Sequence, residues 1–248
     1  MKLIEKTIKL PKIGREASLF LLIPSDYTKH ESYPLLIMND GQNMFLDEKA
    51  SFGTSWGLME HFDSLPSMII AGVSCANSLD RLDEYNPFVS KPFELDGIKR
   101  ITGGKGDIYI HDLIETVIPF ISSKYAIDDS NITIGGSSMG GLISVYASLT
   151  YPSIFKNAIG LSNAFWIAEE DFVKYIKRTR KLHKGMLYID TGDSEDKDDF
   201  TYIESNRNVY EALLSKKINV VYREIPSGIH HESSWRERIK DIIIEVIK

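Results

Sequence analysis

NITIGGSSMGGLISVYASLTY, Asn131 to Tyr151, is the stretch around which the other segments fall into order. The β-branched run Ile132-Thr133-Ile134 predicts a strand, and Gly135-Gly136-Ser137-Ser138-Met139-Gly140-Gly141 follows it directly. Apolar residues then recur at helical spacing: Leu142, Val145, Tyr146 and Leu149. Strand, sharp turn and helix form the context in which G-x-S-x-G acquires mechanical meaning. Gly136 and Gly140 flank Ser138 and remove the side chains that would collide as the chain reverses over one residue. The turn is expected to raise the Ser138 hydroxyl above the sheet edge, beside the free N–H groups of a helix start.

Working outward, Lys2–Leu10 and Ala17–Ile23 read as a hairpin, and Pro34–Met38 as a short strand buried on both faces. Trp56 to Leu65 has helical spacing, and Ser67–Val73 is another apolar strand. Cys75 to Lys105 has little periodicity, and a structureless loop of that length is usually functional. Asp107–Tyr125 predicts a helix that Pro119 should kink or end. Further strands are expected at Phe155–Leu161, Met186–Asp190 and Asn219–Ile225, and helices at Glu169–Lys181, Thr201–Leu214 and Glu232–Ile247. This alternation predicts an α/β chain with a mostly parallel central sheet and helices on both faces. One domain over 1–248 is expected, with a small lid excursion at 163–184.

The net charge of −6 weighs mildly against nucleic acid or an acidic membrane as partner. One cysteine, Cys75, excludes an internal disulfide, and after an apolar run it reads as a buried structural thiol. No apolar run approaches membrane-spanning length and the N-terminus lacks a signal-peptide core, so the expected location is cytoplasmic. Gly103-Gly104-Lys105-Gly106 lacks the strand and hydroxyl of a phosphate-binding loop. No metal or cofactor is implied.

A serine hydroxyl needs a base near neutral pH, and the base needs an orienting acid. In the α/β-hydrolase arrangement these follow in the order Ser, acid, His, each after a strand. Ser138, the acidic loop Asp193-Ser194-Glu195-Asp196 and Gly228-Ile229-His230-His231 supply that order. His230 is favoured because it lies nearer the strand end, with His231 as its rival. Asp193, Glu195 and Asp196 all qualify as the acid; the bland reading of the run is a solvated helix start. Oxyanion donors, worth about 3–4 kcal/mol each, are expected from the Met139 amide and from the Gln42 amide, with Gly41 allowing close approach. Gly41, Arg81, Glu84, Tyr85, Phe165, Trp166 and Trp235 are candidates for the substrate pocket, although an aromatic there is as well explained by core packing.

These residues also resemble the putative esterase family of α/β hydrolases, which includes enterochelin esterase-like enzymes and is related to feruloyl esterases and esterase D. The resemblance runs through MNDGQNMF (Met38–Phe45), SWG (Ser55–Gly57), RLDEYNPF (Arg81–Phe88) and GGKGDIYIHDLIETVIPFISSKY (Gly103–Tyr125). It continues in GGSSMGG (Gly135–Gly141), GLSNAFW (Gly160–Trp166), DTGDSE (Asp190–Glu195) and GIHHESSWRERI (Gly228–Ile239). The family pattern implies His230 as the catalytic histidine with Trp235 behind it, and Glu195 as the acid. Many relatives carry a second glycine where this chain has Ile229. The resemblance implies a serine carboxylester hydrolase acting on a small or medium ester, siderophore, feruloyl or acetyl. Acyl transfer on the same residues is the first alternative, and a non-catalytic binding protein the second. A highly anionic siderophore should meet basic residues, and only Arg81 and Lys105 stand out. A homodimer is left open.

Overall fold

A computed structural model of the chain describes residues 1–95, 97–180, 183–195 and 201–247. Its eight-stranded sheet begins with the hairpin β1 (Lys2–Leu10) and β2 (Arg15–Ile23), paired in antiparallel register from Lys2↔Ile23 to Leu10↔Arg15. β3 (Tyr33–Asn39) is followed by a 3-10 turn at Gly41–Asn43, and α1 (Leu58–His61) by a second such turn at Phe62–Ser64. β4 (Ile69–Val73) is buried at every position. The helix expected over Trp56–Leu65 is therefore a single turn that tightens, because Trp56 and Leu58 bury their side chains before a regular helix is established.

Beyond β4 come α2 (Ser78–Tyr85), the hairpin β5 (Phe93–Leu95) and β6 (Ile98–Arg100), and α3 (Gly106–Asp112). The stretch expected to lack regular structure thus holds a helix and a hairpin. A π turn at Leu113–Val117 joins α3 to α4 (Ile118–Ser122). Pro119 has no amide for the carbonyl four residues back, and the widened turn just before it absorbs the misfit without ending the helix.

β7 (Ile127–Ser137) and α5 (Met139–Thr150) form the centre, followed by β8 (Phe155–Leu161), α6 (Glu169–Arg178), β9 (Leu187–Gly192), α7 (Thr201–Ser215), β10 (Val220–Ile225) and α8 (Glu232–Val246). The strand order is β1-β2-β4-β3-β7-β8-β9-β10. From β4 to β10 every neighbouring pair is parallel. One apolar core joins α5 and α7 to the sheet through Leu142, Val145, Val209 and Leu213; the other lies under α8, with Trp56, Trp235, Ile239 and Ile243. This is the α/β-hydrolase architecture, with parallel strands covered on both faces and their C-terminal ends gathered along one edge. Among the described residues no helix is long and apolar enough to cross a membrane.

Candidate active site

Ser138 sits between β7 and α5 with φ 56° and ψ −123°, a conformation that few non-glycine residues adopt. Two backbone bonds hold it there: its N–H donates to Leu161 O at 2.8 Å, and its carbonyl accepts from Ala164 N at 3.2 Å. Gly136 is required by contact, since a Cβ on it would lie 2.7 Å from the Gly140 carbonyl carbon. α5 is buried on nearly every side, so the strained residue is carried by an element that cannot shift to relieve it.

The acid loop and the histidine loop are locked to each other. A Cβ on Gly192 would meet the Gly228 carbonyl oxygen at 2.1 Å, and Ser194 N donates to that same oxygen at 3.0 Å. Their closure brings Glu195 Oε2 to 3.1 Å from His230 Nδ1. The other carboxylate oxygen, Oε1, accepts from Gly192 N at 2.5 Å, and the Glu195 side chain is only 1% exposed. The His230 ring is wedged between Tyr202, 4.9 Å away centre to centre, and the edge of Trp235 at 5.2 Å. A carboxylate on Nδ1 fixes the tautomer that leaves Nε2 free to accept a proton.

The rival residues have other duties. His231 Nδ1 accepts from Ser233 N at 3.2 Å and caps α8. Asp193 Oδ1 accepts from Ser227 N at 2.7 Å and closes the turn before the histidines. Asp196 lies outside the described residues.

On the opposite wall, the 3-10 turn Gly41–Asn43 follows β3. Gln42 is tied by both ends of its amide to Cys75: Oε1 accepts from Cys75 N at 3.3 Å, and Nε2 donates to Sγ at 3.2 Å. Burial pushes the Cys75 thiol up to about 12, with the Asp40 charge adding to it, so this group is a neutral wall element. Gln42 and Met139 each stand in the first turn of a helical segment, where backbone N–H groups have no acceptor in the helix itself. Ser138, His230, Gln42 and Trp235 share the lining of one cavity of about 570 Å³ with Asp40, Arg81, Cys75 and Glu232.

A family model described as putative esterase covers residues 11–246. The chain belongs to the putative esterase family. YbbA of Bacillus subtilis (strain 168) is 29% identical over 159 residues, covering 62% of this chain and 59% of YbbA. Among solved structures, the enterobactin esterase FES of Shigella flexneri superimposes with a TM-score of 0.78 at 17% identity, over 99% of this chain and 58% of FES. The BES protein of Bacillus cereus gives 0.76 at 18%, over 100% of this chain and 97% of BES. The chain thus spans less than two thirds of YbbA and of FES and nearly all of BES.

Not every expected pocket residue of this chain reaches the cavity. Arg81 does, but its guanidinium is engaged by Asp40, with Nε and Nη2 each 2.7 Å from a carboxylate oxygen. Gly41 is absent from the lining because it packs onto the backbone of Gly72. Glu84 turns away to a fork with Arg15 at 2.7 Å, and Tyr85 is fully buried, its hydroxyl accepting from Asp40 N at 3.1 Å. Phe165 packs against Phe172 in the core. Trp166 lines a separate cavity of about 430 Å³ with Phe93 and the start of α6. The pocket expectation fails at Glu84, Tyr85, Phe165 and Trp166 because each finds a partner in packing or in an ion pair. Two supporting groups have no local sequence signal: Tyr202 on the histidine ring, and the Asp190–Arg238 pair at 2.8 Å. Arg238 and Trp235 both reach Ser162 Oγ, which joins α8 to the strand ends under the site.

Proposed function

We propose that this chain is a serine carboxylester hydrolase in which Ser138 is the nucleophile, His230 the general base and Glu195 the group that orients the imidazole. The observation that carries the reading is the 3.1 Å pairing of His230 Nδ1 with the buried Glu195 carboxylate, on a cavity whose wall also holds the strained Ser138. His230 takes the Ser138 proton as the hydroxyl oxygen attacks the ester carbonyl, then returns it to the departing alkoxide. Water repeats the cycle on the acyl-enzyme and releases the acid. The amides of Met139 and Gln42 receive the negative charge of the tetrahedral intermediate. Glu195 stabilises the imidazolium that forms. The 1–248 chain acts as one domain in this proposal, with 163–184 as an excursion beside the site.

The test is turnover of p-nitrophenyl esters of increasing acyl length, together with labelling by a fluorophosphonate. Labelling at Ser138 and loss of turnover in Ser138→Ala are expected. Full activity in Ser138→Ala would remove the assignment.

A further inference from the structure

The cavity wall has an unusual charge balance. Arg81 is the only arginine or lysine among its described lining residues, and both of its forking nitrogens are spent on Asp40. Lys105, the other basic residue near this part of the sequence, pairs with Asp83 at 3.0 Å and is not in the lining. An anionic group entering here would find no unengaged cation among the described residues. The second carboxylate of the wall, Glu232, is differently placed. It is 3% exposed on the first turn of α8, and Oε1 accepts from Asn43 Nδ2 at 3.1 Å. Among the described residues no lysine, arginine or histidine nitrogen lies within salt-bridge distance of it.

Glu232 is therefore the carboxylate of the wall that has no ion-pair partner among the described residues, whereas Asp40 is paired with Arg81. Burial pushes its carboxyl above the usual carboxylate range, with Asp40 adding to the rise and a hydrogen bond from its own backbone amide and the two neighbouring histidines opposing it. A buried carboxylate without a cationic partner is further stabilised by a donor that a ligand brings, and is repelled by an anionic ligand.

We propose that Glu232 is the specificity determinant of this cavity, selecting an ester that carries a hydrogen-bond donor, ammonium or hydroxyl, over one that carries a carboxylate. The proposal rests on the reading of Ser138 as the nucleophile of the same cavity. It points away from polyanionic esters as substrates and toward cationic or hydroxylated ones.

The experiment compares kcat/KM by pH-stat for matched esters that differ in one terminal group: methyl, hydroxyl, ammonium or carboxylate. One series carries that group on the acyl chain of a methyl ester, and the other on the alcohol of an acetate. In the wild-type chain the better of the ammonium and hydroxyl esters is expected to exceed the carboxylate ester at least tenfold, and the series in which this happens identifies the side that Glu232 reads. In Glu232→Gln the ratio of donor-bearing to carboxylate ester should shrink at least fivefold, and Glu232→Asp should retain part of it. Equal or faster turnover of the carboxylate esters by the wild-type chain, or an unchanged ratio in Glu232→Gln, overturns the proposal. The wild-type ranking decides even if neither variant folds. Fluorophosphonate labelling separates the two levels: no label on the wild-type Ser138 strikes the esterase reading, whereas labelling with a flat substrate ranking strikes only the role of Glu232.

Discussion

The Arg81 guanidinium and the Asp40 carboxylate face each other as a fork, Nε to Oδ1 and Nη2 to Oδ2, each at 2.7 Å. Asp40 has φ 56° and sits directly before Gly41–Asn43, so the ion pair pins the residue that launches the proposed oxyanion loop. Its carboxylate is 4% exposed, and removing the arginine would leave a buried charge without its ion-pair partner. Arg81→Met is expected to cost about 3–5 kcal/mol of unfolding free energy. Arg81→Met combined with Asp40→Asn should recover a large part of that, because the stranded charge is gone. Urea titration of the wild type, the two single variants and the double variant checks this. A loss below about 1 kcal/mol in Arg81→Met would mean that the pair holds nothing.

In the proposed triad Glu195 acts through His230 alone, as a positioning residue. Glu195→Gln keeps the shape and can still accept from Gly192 N, but it can also present an amide N–H to Nδ1 and reverse the tautomer. A fall in kcat by roughly 10³–10⁴ with little change in KM is expected, by analogy with the aspartate-to-asparagine change in a known serine protease triad. Thermal unfolding should move far less than activity. Steady-state kinetics on a p-nitrophenyl ester reads the split, and kcat within threefold of wild type would exclude Glu195 as the orienting acid.

Gly41 lies against β4 so closely that a Cβ would stand 2.3 Å from the Gly72 carbonyl carbon and 2.5 Å from Val73 N. Both are backbone atoms of a fully buried strand, so the loop must move instead. Gly41→Ala is expected to destabilise by about 3 kcal/mol and to lower kcat through the displaced Gln42 amide. Gly53, where a Cβ would meet nothing within 4 Å but φ is +72°, separates crowding from backbone strain. Gly53→Ala should cost only about 1–2 kcal/mol. Equal losses in the two variants, read by denaturant midpoints, would refute the contact argument.

The elbow around Ser138 was legible because strand, turn and helix signals all lie within about twenty consecutive residues and agree with one another. α2 was not. Its sequence SLDRLDEY offers Leu79, Leu82 and Tyr85 to the core, but Asp83 and Glu84 are buried too, which breaks the apolar spacing by which a helix is recognised. Their distant partners, Arg100 and Lys105 for Asp83 and Arg15 for Glu84, make that burial tolerable. His230 and His231 could be ranked from spacing and family pattern, yet what separates them physically is that His231 caps α8 while His230 meets Glu195. Glu232 resembles any acidic residue in a first helical turn; its place on the cavity wall depends on the approach of Asn43 from 189 positions away.

Asp83 gives the acid side of the stability profile a specific source. Its side chain is 6% exposed, and burial by itself would raise its carboxyl. Hydrogen bonds from Arg100 and Lys105, with Gly103 N at 3.0 Å, outweigh burial and hold it below the usual range. The unfolded chain, with an aspartate near about 3.9, therefore binds a proton at a higher pH than the folded one. The stabilisation is fully present above that value and is lost as pH falls through the lower folded one. Asp83→Asn should be less stable than wild type at neutral pH, and the gap should close as pH drops below about 4. Melting temperatures of both proteins across pH 2.5 to 7, a window set around the reference aspartate value of about 3.9, provide the measurement. A gap that stays constant to the acid end would show that Arg100 and Lys105 do not depress Asp83.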